Sequence, residues 1–196
     1  MAETENGVKK QTLFISIGVS LLIGFLSGII YSDNPSQTGG PAAPQQAQQQ
    51  QQQNQMEQNI ASLQFAAQQN PNNAETWTQL GHAYFDSNQP AKAIEAYNKS
   101  LEIIPSNPSV LTDLGIMYRR NGQPDKAIET FDKALQVSPG FEQALFNKGI
   151  VLYNDFGNAA GAIGIWKELV IVNPGARTPN GGLVSEMIDN FSKQVN

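Results

Sequence analysis

Few residues of this chain have side chains that could carry out chemistry. His82 is the only histidine among the 196 residues, and Asp86 lies four positions later, on the same face of a helix. The pair would supply half of a metal site, but no further ligand lies nearby, and such a histidine is more often a surface or groove residue. No nucleophile elbow, phosphate loop, HExxH helix or catalytic carboxylate pair occurs. We therefore predict a protein that is not an enzyme and that uses no metal and no cofactor.

The chain contains no cysteine. This excludes disulfides, thiolate metal sites and covalent haem attachment in this sequence. The formal net charge is −5, and no basic stripe stands out, so a nucleic-acid partner is not expected.

A pattern of helix-packing residues, repeated three times, organises the chain between residues 74 and 176. The first copy consists of Trp77, Leu80, Gly81, Tyr84, Ala93, Tyr97 and Pro105. The second consists of Leu111, Leu114, Gly115, Tyr118, Ala127, Phe131 and Pro139, each 34 residues later. The third consists of Leu145, Gly149, Leu152, Ala162, Trp166 and Pro174, with one extra residue in the turn.

This spacing resembles the tetratricopeptide repeat (TPR), with repeats at 74–107, 108–141 and 142–176. The resemblance implies an all-α solenoid of helical hairpins whose first helices line a concave surface. A mid-helix glycine costs about 1 kcal/mol relative to alanine. Its recurrence at Gly81, Gly115 and Gly149 therefore predicts close approach of the second helix.

The flanks predict a cap at each end of the stack. Ile60, Leu63, Ala66 and Ala67 precede the first repeat and resemble the second helix of a half-repeat. Leu183, Met187, Phe191 and Val195 form one apolar stripe, which predicts a capping helix over 181–195. Residues 56–196 are thus expected to form a single TPR domain.

The N-terminal part predicts a membrane anchor. A polar tail over 1–10 precedes an uncharged, apolar segment over 11–32, whose core is long enough to span a bilayer. A cleaved signal peptide is the alternative, although its apolar region would usually be shorter. Lys9 and Lys10 precede the segment and no Lys or Arg follows until Lys92, which favours a cytoplasmic N-terminus. We expect a single-pass protein of a bacterial inner membrane with its repeats in the periplasm.

Two further features belong to this part of the chain. Ser20, Gly24 and Gly28 share one face of the predicted span, a pattern that permits self-association or contact with another span. Residues 33–55 are rich in Pro, Gly and Gln, and their composition predicts a disordered tether, whose last glutamines could instead extend the next helix.

The remaining stripe of the first helices predicts a groove for a peptide or helix of a partner protein. The predicted groove residues are Thr78, His82, Phe85, Thr112, Ile116, Arg119, Phe146, Ile150 and Tyr153. They make an apolar, aromatic surface with positive charge at one edge, although some could instead pack against the capping helices. The basic and amide cluster with which TPR domains hold an acidic chain terminus is absent from these positions.

The third repeat suggests a pathway. Its run from Gly161-Ala162-Ile163 through Trp166 and Leu169-Val170 to Asn173-Pro174 is similar to repeats of accessory proteins in cytochrome c maturation. That resemblance implies a periplasmic repeat domain that captures an unfolded apocytochrome segment. The leading interpretation is therefore a scaffold that binds an envelope client such as an apocytochrome. The alternative is a structural subunit of an envelope assembly for secretion, pilus formation or electron transfer.

Overall fold

The computed structural model of the chain describes residues 44–195. Eight α-helices follow one another in this range, and no strand forms there apart from an isolated bridge between Arg177 and Leu183. The helices are α1 (Pro44–Gln69), α2 (Ala74–Asp86), α3 (Pro90–Ile103), α4 (Pro108–Arg120), α5 (Pro124–Val137), α6 (Glu142–Asn154), α7 (Ala159–Val172) and α8 (Val184–Val195). Pairs α2–α3, α4–α5 and α6–α7 form three successive hairpins, and each hairpin packs against the next.

Short polar residues and prolines set the helix starts. The side chains of Asn73, Asn107 and Asn158 accept hydrogen bonds from the first free backbone amides of α2, α4 and α7. Helices α3, α4 and α5 begin with a proline, whose missing amide hydrogen costs nothing at that position. Local sequence therefore fixes the start of the first two hairpins, whereas α6 begins after Phe141 without a side-chain cap.

A buried aromatic ring and a glycine join the two helices of each hairpin. The pairs are Gly81 with Tyr97, Gly115 with Phe131, and Gly149 with Trp166. Each ring is fully buried, and a Cβ atom at the paired glycine would overlap it. The predicted reason for the repeated glycine is thus confirmed.

The two ends of the stack are covered as predicted. Ala67 of α1 is buried in the core of the first hairpin, with Ile60 and Leu63 packed against that core. Val184 and Ile188 of α8 are buried against the third hairpin. These contacts shield the end faces of the hydrophobic interior from water.

Two predicted boundaries are wrong. Residues 44–55, assigned to the disordered tether, are helical, because α1 begins at Pro44. Glutamine is a good helix former, and the helix-breaking prolines and glycines of the tether all lie at or before the first residue of α1. The capping helix begins at Val184 rather than at residue 181, because Gly181 (φ +85°) lies in a turn closed by Thr178 N–H and the Gly182 carbonyl.

None of the helices between residues 44 and 195 is long and apolar enough to cross a membrane. The predicted tail (1–10), the predicted span (11–32) with its Ser20, Gly24 and Gly28, and residues 33–43 of the tether lie outside the described residues.

Candidate partner-binding groove

The first helices of the hairpins, α2, α4 and α6, carry all nine predicted groove residues. His82 is exposed, whereas Thr78, Phe85, Ile116 and Arg119 are half-buried. These five residues belong to the first two hairpins, and each keeps part of its side chain exposed, where a partner could contact it.

The two groove threonines turn their hydroxyls toward the protein. Thr112 is buried, and its Oγ1 donates to the Pro108 carbonyl over 2.7 Å. Thr78 Oγ1 donates to the Ala74 carbonyl and also shares a 2.7 Å hydrogen bond with Ser100 Oγ of α3. The prediction that Thr112 lines the groove surface is therefore wrong. Thr112 fills a gap under the groove and is satisfied by its own helix.

His82 pairs across the hairpins rather than along its helix. Its Nε2 lies 3.2 Å from Asp113 Oδ2 of α4, and it makes no hydrogen bond with Asp86, four residues later on α2. Burial raises the pKa of Asp113, while the charge and hydrogen bond of His82 act in the opposite direction. The His82–Asp113 contact thus bridges the first two repeats at the floor of the groove.

A small acidic pocket opens beside this contact. It has a volume of about 260 Å³ and is lined by His82, Phe85, Asp86, Tyr97 and Asp113. Tyr97 is fully buried, and its hydroxyl has no hydrogen-bond partner among the described residues. Burial, followed by the nearby charges of Asp113 and Asp86, raises the pKa of Tyr97 well above its usual range. We call this feature the acidic pocket.

Sequence reasoning missed three of these five residues as site residues. Tyr97 was assigned only to the core, and Asp86 only to an incomplete metal site. Asp113 is one residue beyond the predicted stripe of α4, on the side that approaches α2. A stripe drawn on each helix separately does not reveal such a pair, because the pair depends on how the helices pack.

The two arginines at the end of α4 are both engaged. Arg119 Nε donates to Asp155 Oδ2 at 2.5 Å, at the end of α6. The guanidinium of Arg120 lies 4.3 Å from the centroid of the Phe85 ring. Positive charge is therefore present at this edge of the groove as predicted, but Asp155 balances the charge of Arg119.

The C-terminal helix α8 packs against the groove face of the third hairpin and narrows it. The ring of Tyr153 lies 4.4 Å from that of Phe191 in α8, and Trp166 stacks on the same ring at 5.6 Å. Phe146 and Ile150 line a recess that Met187 and Phe191 also line. Phe146, Ile150 and Tyr153 are half-buried, as Phe85 and Ile116 are, so α8 narrows the predicted groove at this hairpin. This matches the alternative that some groove residues pack against a capping helix, and the role of the three residues in binding stays a prediction.

A wider recess, of about 660 Å³, lies between α1 and the first hairpin. Gln64 and Tyr84 both line it, and they are joined there by a 2.6 Å hydrogen bond from the Gln64 amide to the Tyr84 hydroxyl. Trp77, Glu95 and Lys99 complete much of its wall. This recess belongs to the seam with the N-terminal cap rather than to the groove.

Together, the hairpins and their groove define an all-α helical-repeat solenoid, a class of scaffold that presents a concave surface to other molecules. The family model for the tetratricopeptide repeat matches residues 74–107 and 108–141, which are the first two predicted repeats with the predicted boundaries. The third hairpin, outside that match, continues the same packing. This fold generally serves protein interaction rather than catalysis.

Solved structures show the same fold. The crystal structure of MamA aligns with a TM-score of 0.59 and 23% identity, over 65% of this chain and 74% of that one. The first TPR of Spaghetti (RPAP3), bound to the HSP90 peptide SRMEEVD, aligns with a TM-score of 0.55 and 18% identity, over 62% and 92% of the two chains. The Sgt2 TPR domain from Aspergillus fumigatus gives 0.54 and 23%, over 62% and 78%. No curated protein matches the chain.

Proposed function

We propose that this protein is a membrane-anchored scaffold that binds a segment of a partner protein in the groove of its first two hairpins. The observation that carries this proposal is the difference between the hairpins. His82, Phe85 and Ile116 remain partly or largely exposed on the first two, whereas α8 packs against part of the corresponding face of the third. Phe85 and Ile116 also pack against the core of the first hairpin, but each keeps part of its surface exposed, where another polypeptide can contact it.

The character of the groove argues against an acidic partner terminus. A related fold holds the peptide SRMEEVD, whose last residues include two glutamates and an aspartate. In this chain, Asp86 and Asp113 line the groove between the first two hairpins and would repel such a segment. The partner segment is therefore of a different kind, and an unfolded envelope client such as an apocytochrome remains our leading candidate.

Site-specific photo-crosslinking tests the groove. A photoreactive phenylalanine analogue at Glu75 or His82, both exposed on α2, should trap the same partner in the living host. The same analogue at Glu129 or Lys133, both exposed on α5, serves as the matched control and should not trap it. Equal crosslinking from both helices, or none from α2, would contradict binding in the groove.

The proposed anchor and orientation have their own test. The chain has no native cysteine, so a maleimide can label only the single cysteine that is introduced, and its labelling shows which side of the membrane that residue faces. In intact spheroplasts, a membrane-impermeant maleimide should label Ser106→Cys in the repeats and should leave Thr4→Cys unlabelled until lysis. Labelling of Thr4→Cys before lysis would contradict the proposed orientation. Release of the protein from membranes by carbonate would contradict the proposed anchor.

One observation favours the alternative, a permanent subunit of an envelope assembly. The second helix of every hairpin ends on exposed apolar side chains, namely Ile103, Val137, Ile171 and Val172. A stable assembly would cover such residues. Co-purification in fixed stoichiometry in mild detergent would support this role, whereas a partner that exchanges freely would support the client-binding role.

A further inference from the structure

The acidic pocket combines features that suit a positively charged group. Asp86 is the last residue of α2, and its side chain makes no hydrogen bond or ion pair with any described residue. A carboxylate at the C-terminal end of a helix also faces the negative end of the helix dipole, which is unfavourable. Asp86 is exposed, so water solvates its carboxylate, and a cation in the pocket could take the place of that water.

The hydroxyl of Tyr97 provides a second, independent indication. It is fully buried, lines the pocket, and has no hydrogen-bond partner within the described part of the chain. Leaving a buried polar group unpaired costs more than a typical hydrogen bond contributes, so natural cores rarely retain one without a use. A phenylalanine would fill the same space. The hydroxyl is therefore in place for a polar atom that enters the pocket.

The chemistry of the walls selects an organic cation. No three side chains of His, Asp or Glu converge as metal ligands in residues 44–195. The carboxylates of Asp86 and Asp113 would repel an anion from the pocket. The guanidinium of Arg120 lies over the Phe85 ring. The rings of Phe85, His82 and Tyr97 give the pocket aromatic walls. Such walls suit the methylene stem and the charged end of a long basic side chain.

We propose that the acidic pocket receives a single lysine or arginine side chain of the partner segment, with Asp86, Asp113 and the Tyr97 hydroxyl as its polar contacts. This inference rests on the proposed function, because it assigns a recognition element to the same groove. The basic side chain fixes the register of the segment between the first two hairpins. Specificity then comes from one basic side chain of the partner, unlike the acidic peptide SRMEEVD to which a domain of similar fold is bound.

A side-chain analogue tests the pocket without the natural partner. The full chain, labelled with ¹⁵N in a neutral maltoside detergent, is titrated with n-butylammonium at constant ionic strength. We expect saturable shifts of the backbone amides of Phe85, Asp86 and Asp113. Titration with n-propylguanidinium distinguishes an arginine from a lysine preference. Titrations with n-butanol and butyrate should leave these amides unshifted.

The variants make the test specific. Asp86→Asn with Asp113→Asn should weaken the binding of n-butylammonium at least about ten-fold, because both charged contacts are lost. Glu129→Gln with Glu168→Gln removes the same charge from exposed positions on the second helices and should leave binding unchanged. Equal shifts with n-butanol or butyrate, or unchanged affinity in the Asp86/Asp113 variant, would overturn the proposal.

The cation titration and the crosslinking experiment together distinguish failure of the cation pocket from failure of the scaffold function. Crosslinking from α2 to a partner, together with no binding of either cation, would leave the scaffold standing and reject the cation pocket. Binding of the cations without any crosslinked partner would reject the scaffold function and with it the assignment of the cation to a partner side chain.

Discussion

The indole Nε1 of Trp166 donates a hydrogen bond to the backbone carbonyl of Phe146, over a distance of 3.1 Å. The indole reaches that carbonyl because Gly149, on the next turn of α6, has no side chain to hold it away. The glycine thus allows both a buried ring and a satisfied buried donor. The packing of the third hairpin depends on that one missing methyl group.

Alanine at Gly149 should therefore destabilise the protein, although alanine is the better helix former. We expect the free energy of unfolding to fall by about 2 kcal/mol, because the cost of overpacking exceeds the gain in helix propensity. Gly164 of α7 is the matched control, since no atom outside its own helix lies near its Cβ position. Gly164→Ala should raise the free energy of unfolding by about 0.5–1 kcal/mol. Urea denaturation measures both, and changes of equal sign would contradict this explanation.

Removal of the tyrosine hydroxyl should change the free energy of unfolding in opposite directions at Tyr97 and at Tyr84. Tyr97→Phe removes a buried hydroxyl without a partner and should raise the free energy of unfolding by about 1 kcal/mol. Tyr84→Phe removes the acceptor of a 2.6 Å hydrogen bond from Gln64 and should lower it by about 1 kcal/mol. Thermal and urea unfolding report both values. A loss of stability in Tyr97→Phe would show that its hydroxyl has a partner in solution.

The carboxyl of Asp113 should make stability depend on pH in an identifiable direction. Its folded pKa is raised, chiefly by burial, so the folded state holds this proton more tightly than the unfolded state. Its contribution to stability is then greatest below the unfolded pKa, about 3.9, and falls as pH rises through the window up to the folded pKa.

Asp113→Asn removes this titration while keeping an acceptor for His82. The free energy of unfolding of the wild type, relative to that of Asp113→Asn, should therefore decline as pH rises from about 3 to 6. Urea melts of both proteins at a series of pH values measure it. A relative gain in wild-type stability over that range would contradict the assigned direction.

The sequence predicted the interior of each hairpin well, because local packing rules determine it. The small residues Ala93, Ala127 and Ala162 are fully buried, as their spacing required. The surface of the groove was harder to predict. The His82–Asp113 pair joins two helices whose relative placement no single-helix pattern encodes. Composition likewise predicted disorder for the glutamine run, where helix propensity and the start at Pro44 favour a helix.

The C-terminal helix should contribute strongly to stability through one ring. Phe191 contacts both Tyr153 and Trp166, so Phe191→Ala should lower the free energy of unfolding by about 3 kcal/mol. Hydrogen exchange in α8 and around Ile150 should accelerate in the same variant. Phe65→Ala is the control, since that side chain is 64% exposed and should change stability by less than about 0.5 kcal/mol. Similar losses in the two variants would rule out a special role for Phe191.

Packing of α8 against the third hairpin narrows the groove there, so a ligand held by the first two hairpins alone has a small footprint. Two neighbouring helices, packed roughly 10 Å apart, present a face about 20 Å wide. An extended strand crosses that distance in about six residues, at about 3.3 Å per residue. So short a motif buries little area, and contacts of this size are typically transient. A long-lived complex would then require avidity. Confinement of both molecules at a surface would provide it by raising their effective concentration.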